Sequence, residues 1–77
     1  MKLETLQQIF VDTLGVDADV VTLEASLTDD IGADSLDAVE ISQAIEEETG
    51  VAIPDEELGN IKTVKDIFDY VNDHAAQ

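Results

Sequence analysis

Apolar residues recur with helical spacing in separate stretches of this chain. Leu3, Leu6, Phe10 and Leu14 sit at i, i+3, i+7 and i+11, one face of a first helix. Gly15 follows, where a left-handed residue would end it. From residue 16 to residue 34 the rhythm fades. Val20, Val21, Leu23, Leu27 and Ile31 still recur every few positions, which predicts an ordered loop pinned to the core, with a short turn of helix near residues 17–20. A connection of that length inside a compact domain usually has a purpose.

A second helix fits Ser35 to about Thr49, closed by Gly50. Pro54 precedes Asp55-Glu56-Glu57-Leu58, a cap-like Asp55 ahead of a very short helix that stops near Gly59-Asn60. The last helix opens on Thr63-Val64-Lys65-Asp66, a capping box with Asp in the place of Glu, and carries Val64, Ile67, Phe68 and Val71 on one face. Val51-Ala52-Ile53 is too short to count as a strand, and no repeat or linker interrupts the chain. The expectation is all-α: a small four-helix bundle, with three main helices plus one short helix and a long first loop.

The second helix has two stripes. At 100° per residue Ala38, Ile41, Ile45 and Thr49 fall on one side with Ser42 at the flank, the ordinary core face. The opposite side carries Leu36, Glu40, Gln43 and Glu47, with Val39 beside them and Asp37 nearer the boundary. Leu36 and Val39 therefore stand among acids on the solvent side. Single apolar residues at a surface are normal, whereas an apolar centre ringed by carboxylates would make a docking face. Pattern alone leaves both readings open.

Composition narrows what such a bundle does. With 77 residues the chain is one domain spanning 1–77. A hydrophobic fraction of 44% supports a modest core and argues against disorder. Against 19 Asp and Glu stand only Lys2, Lys62 and Lys65, for a formal charge of −16. Such a surface repels phosphate backbones and anionic membranes, which excludes nucleic acid as a partner. No apolar run approaches the roughly 18 residues of a membrane span, so no membrane insertion is expected. The absence of cysteine removes disulfides, zinc knuckles and thiol nucleophiles, and fits a cytoplasmic protein. Met1 to Thr5 reads as helix and not as a signal peptide. Partners should be basic proteins or cations.

Ser35 opens the second helix after Gly32-Ala33-Asp34. A serine there is either an N-cap or the carrier of a modification, since a helix N-terminus stabilises an attached phosphate by about 0.3–1 kcal/mol. Catalysis by Ser35 has little support. The single histidine, His74, lies near the C-terminus, a neighbouring carboxylate is a poor general base near neutral pH, and G-x-S-x-G spacing is absent. Calcium binding of the EF-hand type fails as well. From Asp17, Val21 and Thr22 occupy a ligand position and the glycine position; from Asp29, Ile31 and Ala33 fill ligand positions. No specific metal site is expected.

Gly32-Ala33-Asp34-Ser35-Leu36-Asp37-Ala38-Val39-Glu40 resembles the attachment motif of acyl carrier proteins. Glu46-Glu47-Glu48, Ile53-Pro54-Asp55-Glu56-Glu57, Ile61-Lys62-Thr63-Val64 and Asp69-Tyr70-Val71-Asn72 fall where that family has similar segments, so the resemblance spans essentially the whole chain. It implies a non-catalytic carrier whose cofactor is 4′-phosphopantetheine, moved from coenzyme A onto Ser35 by a magnesium-dependent phosphopantetheinyl transferase. Asp34 would help that transferase recognise the serine. Acyl groups would then travel as thioesters between enzymes of fatty acid biosynthesis. Acyl-chain synthesis and transfer enzymes with basic patches would dock on Leu36, Asp37, Val39, Glu40, Gln43 and Glu47, the carrier itself being a monomer. An acyl chain would slip between helices lined by Ile45, Ile53, Ile61 and Phe68.

Ser42, Gln43 and Thr49 depart from the family's usual apolar or aromatic residues. They keep open a dedicated carrier for a polyketide, aminoacyl or other specialised acyl pathway. A remoter alternative is an acidic mimic of nucleic acid, which would need the charge but not Ser35.

Overall fold

The computed structural model describes residues 1–75, and these residues form helices α1 (Leu3–Leu14), α2 (Ser35–Thr49), α3 (Asp55–Leu58) and α4 (Val64–Ala75), with a 3-10 turn at Ala18–Val20. The fold class is the four-helix one the periodicity predicts. Leu6, Ile9 and Phe10 of α1 are buried, and so are Ile41 and Ile45 of α2 and Val64, Ile67 and Val71 of α4. Steps of three or four residues within each set give its helix one dry side.

Local chemistry decides where the helices end. Gly15 and Gly50 both turn left-handed, at φ 72° and 79°, and their N–H groups close on the carbonyls of Val11 and Glu46 at 2.9 and 2.8 Å. At α4 the capping box forms as its sequence predicts. The Asp66 N–H donates to the Thr63 hydroxyl at 3.3 Å, and Asp66 Oδ2 accepts from the N–H groups of Thr63 and Lys62 at 3.2 and 3.0 Å. The start of α3 differs from expectation: Pro54, not Asp55, is the N-cap. Its φ of −63° and ψ of 153° hold the chain extended, and its carbonyl accepts from Glu57 and Leu58 at 3.0 Å each, so no side-chain cap is needed.

The long first loop is tied down by its backbone. Leu27 donates to the Lys62 carbonyl, Val64 to Ala25 and Lys65 to Leu23, at 3.0, 3.1 and 3.0 Å, around an isolated antiparallel bridge between Ser26 and Thr63. Gln7 of α1 reaches the Val21 carbonyl with its side-chain amide at 2.9 Å. Val21, Ala25 and Leu27 are buried as deeply as helical core residues. The loop therefore works as a fifth wall of the core. It delivers the chain to the start of α2 from a fixed direction.

Candidate functional site

The approach to α2 is set by residues 32–34. Gly32 takes φ 77°, a left-handed conformation that a side chain would strain. Ala33 then buries its methyl group and donates to the Leu27 carbonyl at 2.7 Å, which anchors the turn to the loop. Asp34 is extended, at φ −96° and ψ −170°, and is the N-cap. Its Oδ1 accepts from the Asp37 N–H at 2.9 Å while Asp37 Oδ2 accepts from the Asp34 N–H at 3.1 Å.

Ser35 is consequently the first helical residue and not the cap. Asp34 holds the role for which serine would otherwise compete, and its carboxylate suits the positive end of the helix dipole. Ser35 is exposed, and no hydrogen bond among the described residues uses its hydroxyl. This mutual Asp34–Asp37 cap is the feature that sequence reasoning missed. Its signal was present as D-x-x-D, the acidic counterpart of the S/T-x-x-E box.

The outer stripe of α2 is laid out as the helical wheel predicts. Leu36 is 74% exposed and Val39 38% exposed. Glu40, Gln43 and Glu47 are exposed around them, and Asp37 is half-buried in the cap. On the inner side Ser42 is buried, and its hydroxyl donates to the Val39 carbonyl at 2.8 Å. Thr49 donates to the Ile45 carbonyl at 2.8 Å and accepts from the Val51 N–H at 3.2 Å. Both hydroxyls are satisfied by their own helix and its exit, so they lie inside an apolar face without a stranded polar group.

A cleft of about 550 Å³ opens beside Ser35. Its apolar lining comes from Leu27 of the loop, Ala33, Ala38 and Val39 around the start of α2, Leu58 of α3, and Ile61. Thr28, Asp34, Ser35 and Asp55 supply its polar lining. Of the residues named from sequence for an acyl chain, Ile61 lines this cleft. Ile45 and Ile53 belong to the packed core, and Phe68 is half-buried against it. A phosphate ester at Ser35 would stand in solvent, and a flexible chain attached to it could fold back into an apolar space. The residues present fit such a group.

The remaining polar chemistry is structural. The His74 ring stacks on Tyr70 with centroids 4.0 Å apart, and its Nδ1 lies 2.8 Å from the Tyr70 carbonyl, so its position is set within α4. Asp66 is held below the ordinary carboxylate range, chiefly by the Lys62 N–H. Slight burial opposes this, and the Thr63 N–H and hydroxyl and the Lys65 charge add to the lowering. Among the described residues no three His, Cys, Asp or Glu side chains converge as a metal site. No described helix is long and apolar enough to cross a membrane.

Comparison with known proteins supplies an independent finding. Residues 4–71 match a family model described as "Phosphopantetheine attachment site". The chain is 50% identical over 74 residues to a protein named "Acyl carrier protein" from Thermosynechococcus vestitus, covering 96% of this chain and 91% of the relative. A protein of the same name from Zymomonas mobilis is 49% identical over 73 residues, with coverage of 95% and 94%. One from Syntrophobacter fumaroxidans is 56% identical over 63 residues, with coverage of 82% and 78%.

Proposed function

Because this chain belongs to the acyl carrier proteins, the family of the phosphopantetheine attachment site, we propose that Ser35 is the residue that receives 4′-phosphopantetheine. The observation that carries this reading is the state of its hydroxyl, exposed at the first turn of α2 and released from capping by Asp34. When bound, the arm supplies a terminal thiol that holds acyl groups as thioesters. In loading, the Ser35 oxygen forms a bond to the phosphorus that carries pantetheine in coenzyme A. The pyrophosphate P–O bond breaks, adenosine 3′,5′-bisphosphate leaves, and the serine proton goes to a base on a phosphopantetheinyl transferase.

The outer stripe of Leu36, Val39, Glu40, Gln43 and Glu47, with half-buried Asp37 at its edge, is the docking face for that transferase and for acyl-chain synthesis and transfer enzymes with basic patches. The charge of −16 steers such partners and speeds their encounter without a large buried area. The apolar cleft beside Ser35 favours an aliphatic cargo, and with it fatty acid biosynthesis in the cytoplasm. The carrier acts as a monomer of one domain, residues 1–77, with Asp34 read by the transferase.

The test is direct. Purified apo protein is incubated with coenzyme A, magnesium and a broad-specificity phosphopantetheinyl transferase, then weighed by mass spectrometry. A gain of one phosphopantetheinyl group that is lost in Ser35→Ala is expected. No gain with any transferase would overturn Ser35 as the attachment residue.

A further inference from the structure

We propose that Asp37 is a positioning residue for the modification of Ser35, acting through the backbone of Asp34 and separately from any charge it lends to docking. This rests on the reading of Ser35 as the attachment residue. Two capping registers compete at the start of α2. In one, Asp34 is the cap and Asp37 stands three residues on. In the other, Ser35 is the cap and Ala38 stands three residues on. Serine and aspartate are comparably good N-caps, so side-chain preference alone does not choose between them. In the second register the Ser35 oxygen would accept the Ala38 N–H and be held against the backbone.

Asp37 decides the competition because only the first register has a side chain that returns the bond. Asp37 Oδ2 takes the Asp34 N–H at 3.1 Å while its own N–H goes to Asp34 Oδ1 at 2.9 Å. The Ala38 N–H remains on the Asp34 carbonyl at 3.0 Å. Ala38 has no side chain with which to reciprocate for Ser35. The half-buried position of Asp37 fits this local duty better than a purely electrostatic one. With the register fixed, the Ser35 hydroxyl keeps its lone pairs and proton available to the transferase.

Two variants separate the cap from the charge. Asp37→Asn removes the charge but keeps an oxygen able to accept the Asp34 N–H; Asp37→Ala removes both. Steady-state loading with coenzyme A, magnesium and a phosphopantetheinyl transferase should show KM for the carrier raised by the same factor in both. The kcat should fall about twofold in D37A, because losing about 1.4 kcal/mol of cap takes a register held at roughly ten to one down to about one to one, and stay at the wild-type value in D37N. Amide hydrogen exchange on the unloaded proteins should show Asp34 protected in wild type and D37N and fast in D37A.

Equal kcat values in D37A and D37N, or an Asp34 amide as protected in D37A as in wild type, would overturn the proposal. If D37A does not fold, a twofold loss of kcat in folded D37N overturns it alone. Loading that survives in Ser35→Ala would instead defeat the attachment reading, and this inference with it, whatever the exchange data show.

Discussion

The starts of α2 and α4 are built from nearly the same parts and do different work. At α4 the hydroxyl residue is the cap: Thr63 accepts the Asp66 N–H at 3.3 Å, and Asp66 returns the bond to the Thr63 backbone at 3.2 Å. At α2 both halves of the box are carboxylates, Asp34 and Asp37, and the hydroxyl residue comes one position later. Thr63 sits between the loop bridge and the helix, half-buried. Ser35 sits in solvent at the edge of a cleft. A displacement of one residue relative to the cap converts a hydroxyl that holds the fold into one that a partner can use. A hydroxyl near a helix start is thus weak evidence of function until its capping partner is known.

The sharpest way to break this contrast is to remove each hydroxyl in turn. Ser35→Ala should abolish phosphopantetheine loading while leaving the melting temperature nearly unchanged, because that hydroxyl holds nothing in the fold. Thr63→Ala should load at the wild-type rate and lose about 1 kcal/mol of stability, the usual cost of a missing N-cap. Mass spectrometry and urea unfolding read the two effects. A Thr63→Ala protein that fails to load while folded would show that the two starts are not separable in function.

A second contrast lies between the cleft and the core. An eight-carbon chain on the arm has seven CH₂ and CH₃ groups beyond the carbonyl to bury, worth roughly 5–6 kcal/mol as an upper bound. That rivals the whole stability of a small domain, about 5 kcal/mol. Acylation should therefore raise the melting temperature. Ile61→Asn, at the cleft, should remove most of that rise. Ile45→Val, in the core, should cost about 0.5–1.5 kcal/mol in the loaded and unloaded forms alike. Differential scanning calorimetry of the three proteins, each loaded and unloaded, measures both. A rise that Ile45→Val erases and Ile61→Asn leaves untouched would move the chain's seat from the cleft into the core.

Charge on the outer stripe gives a smaller effect. Glu40→Lys or Glu47→Lys should slow association with a basic partner by about tenfold at low salt and much less at physiological salt, since steering is screened. Circular dichroism should stay unchanged, because both side chains are exposed. Stopped-flow association with the transferase is the measurement, and equal rates at low salt would remove Glu40 and Glu47 from the docking face.

These contrasts differ in how far the sequence announces them. The helix ends at Gly15, Gly50 and Thr63 are legible because each rests on a few adjacent residues. The two faces of α2 follow from spacing alone, and Ile41 and Leu36 lie where the wheel places them. The capping register at Ser35 is written only in the D-x-x-D of Asp34 and Asp37, since Asp and Ser are both good caps and the choice depends on a bond returned by Asp37. The cleft is not legible. Leu27, Val39, Leu58 and Ile61 come from separate segments, and periodicity says which side of a helix turns inward but not which inward residues border empty space. Ile45 and Ile53 illustrate that limit, since both point inward and neither reaches the cleft.

Acid weakens the α4 start by a small amount. Asp66 is the carboxylate at the α4 start whose protonation is pushed below the ordinary value of 3.8, first by the Lys62 N–H. A group whose folded pKa is depressed binds its proton less readily in the native state than in the unfolded one. The stability it contributes is therefore complete above the unfolded value and is lost as pH falls through the lower, folded one. At pH 7 Asp66→Asn should be measurably less stable than wild type in urea. Because Asp66 is largely exposed to solvent, that gap should be a small fraction of the total. Below pH 3.8 the gap should shrink progressively and close once wild-type Asp66 is protonated in both states. A gap that stays constant from pH 7 down to pH 2 would mean that the α4 cap depends on the shape of the Asp66 side chain and not on its charge.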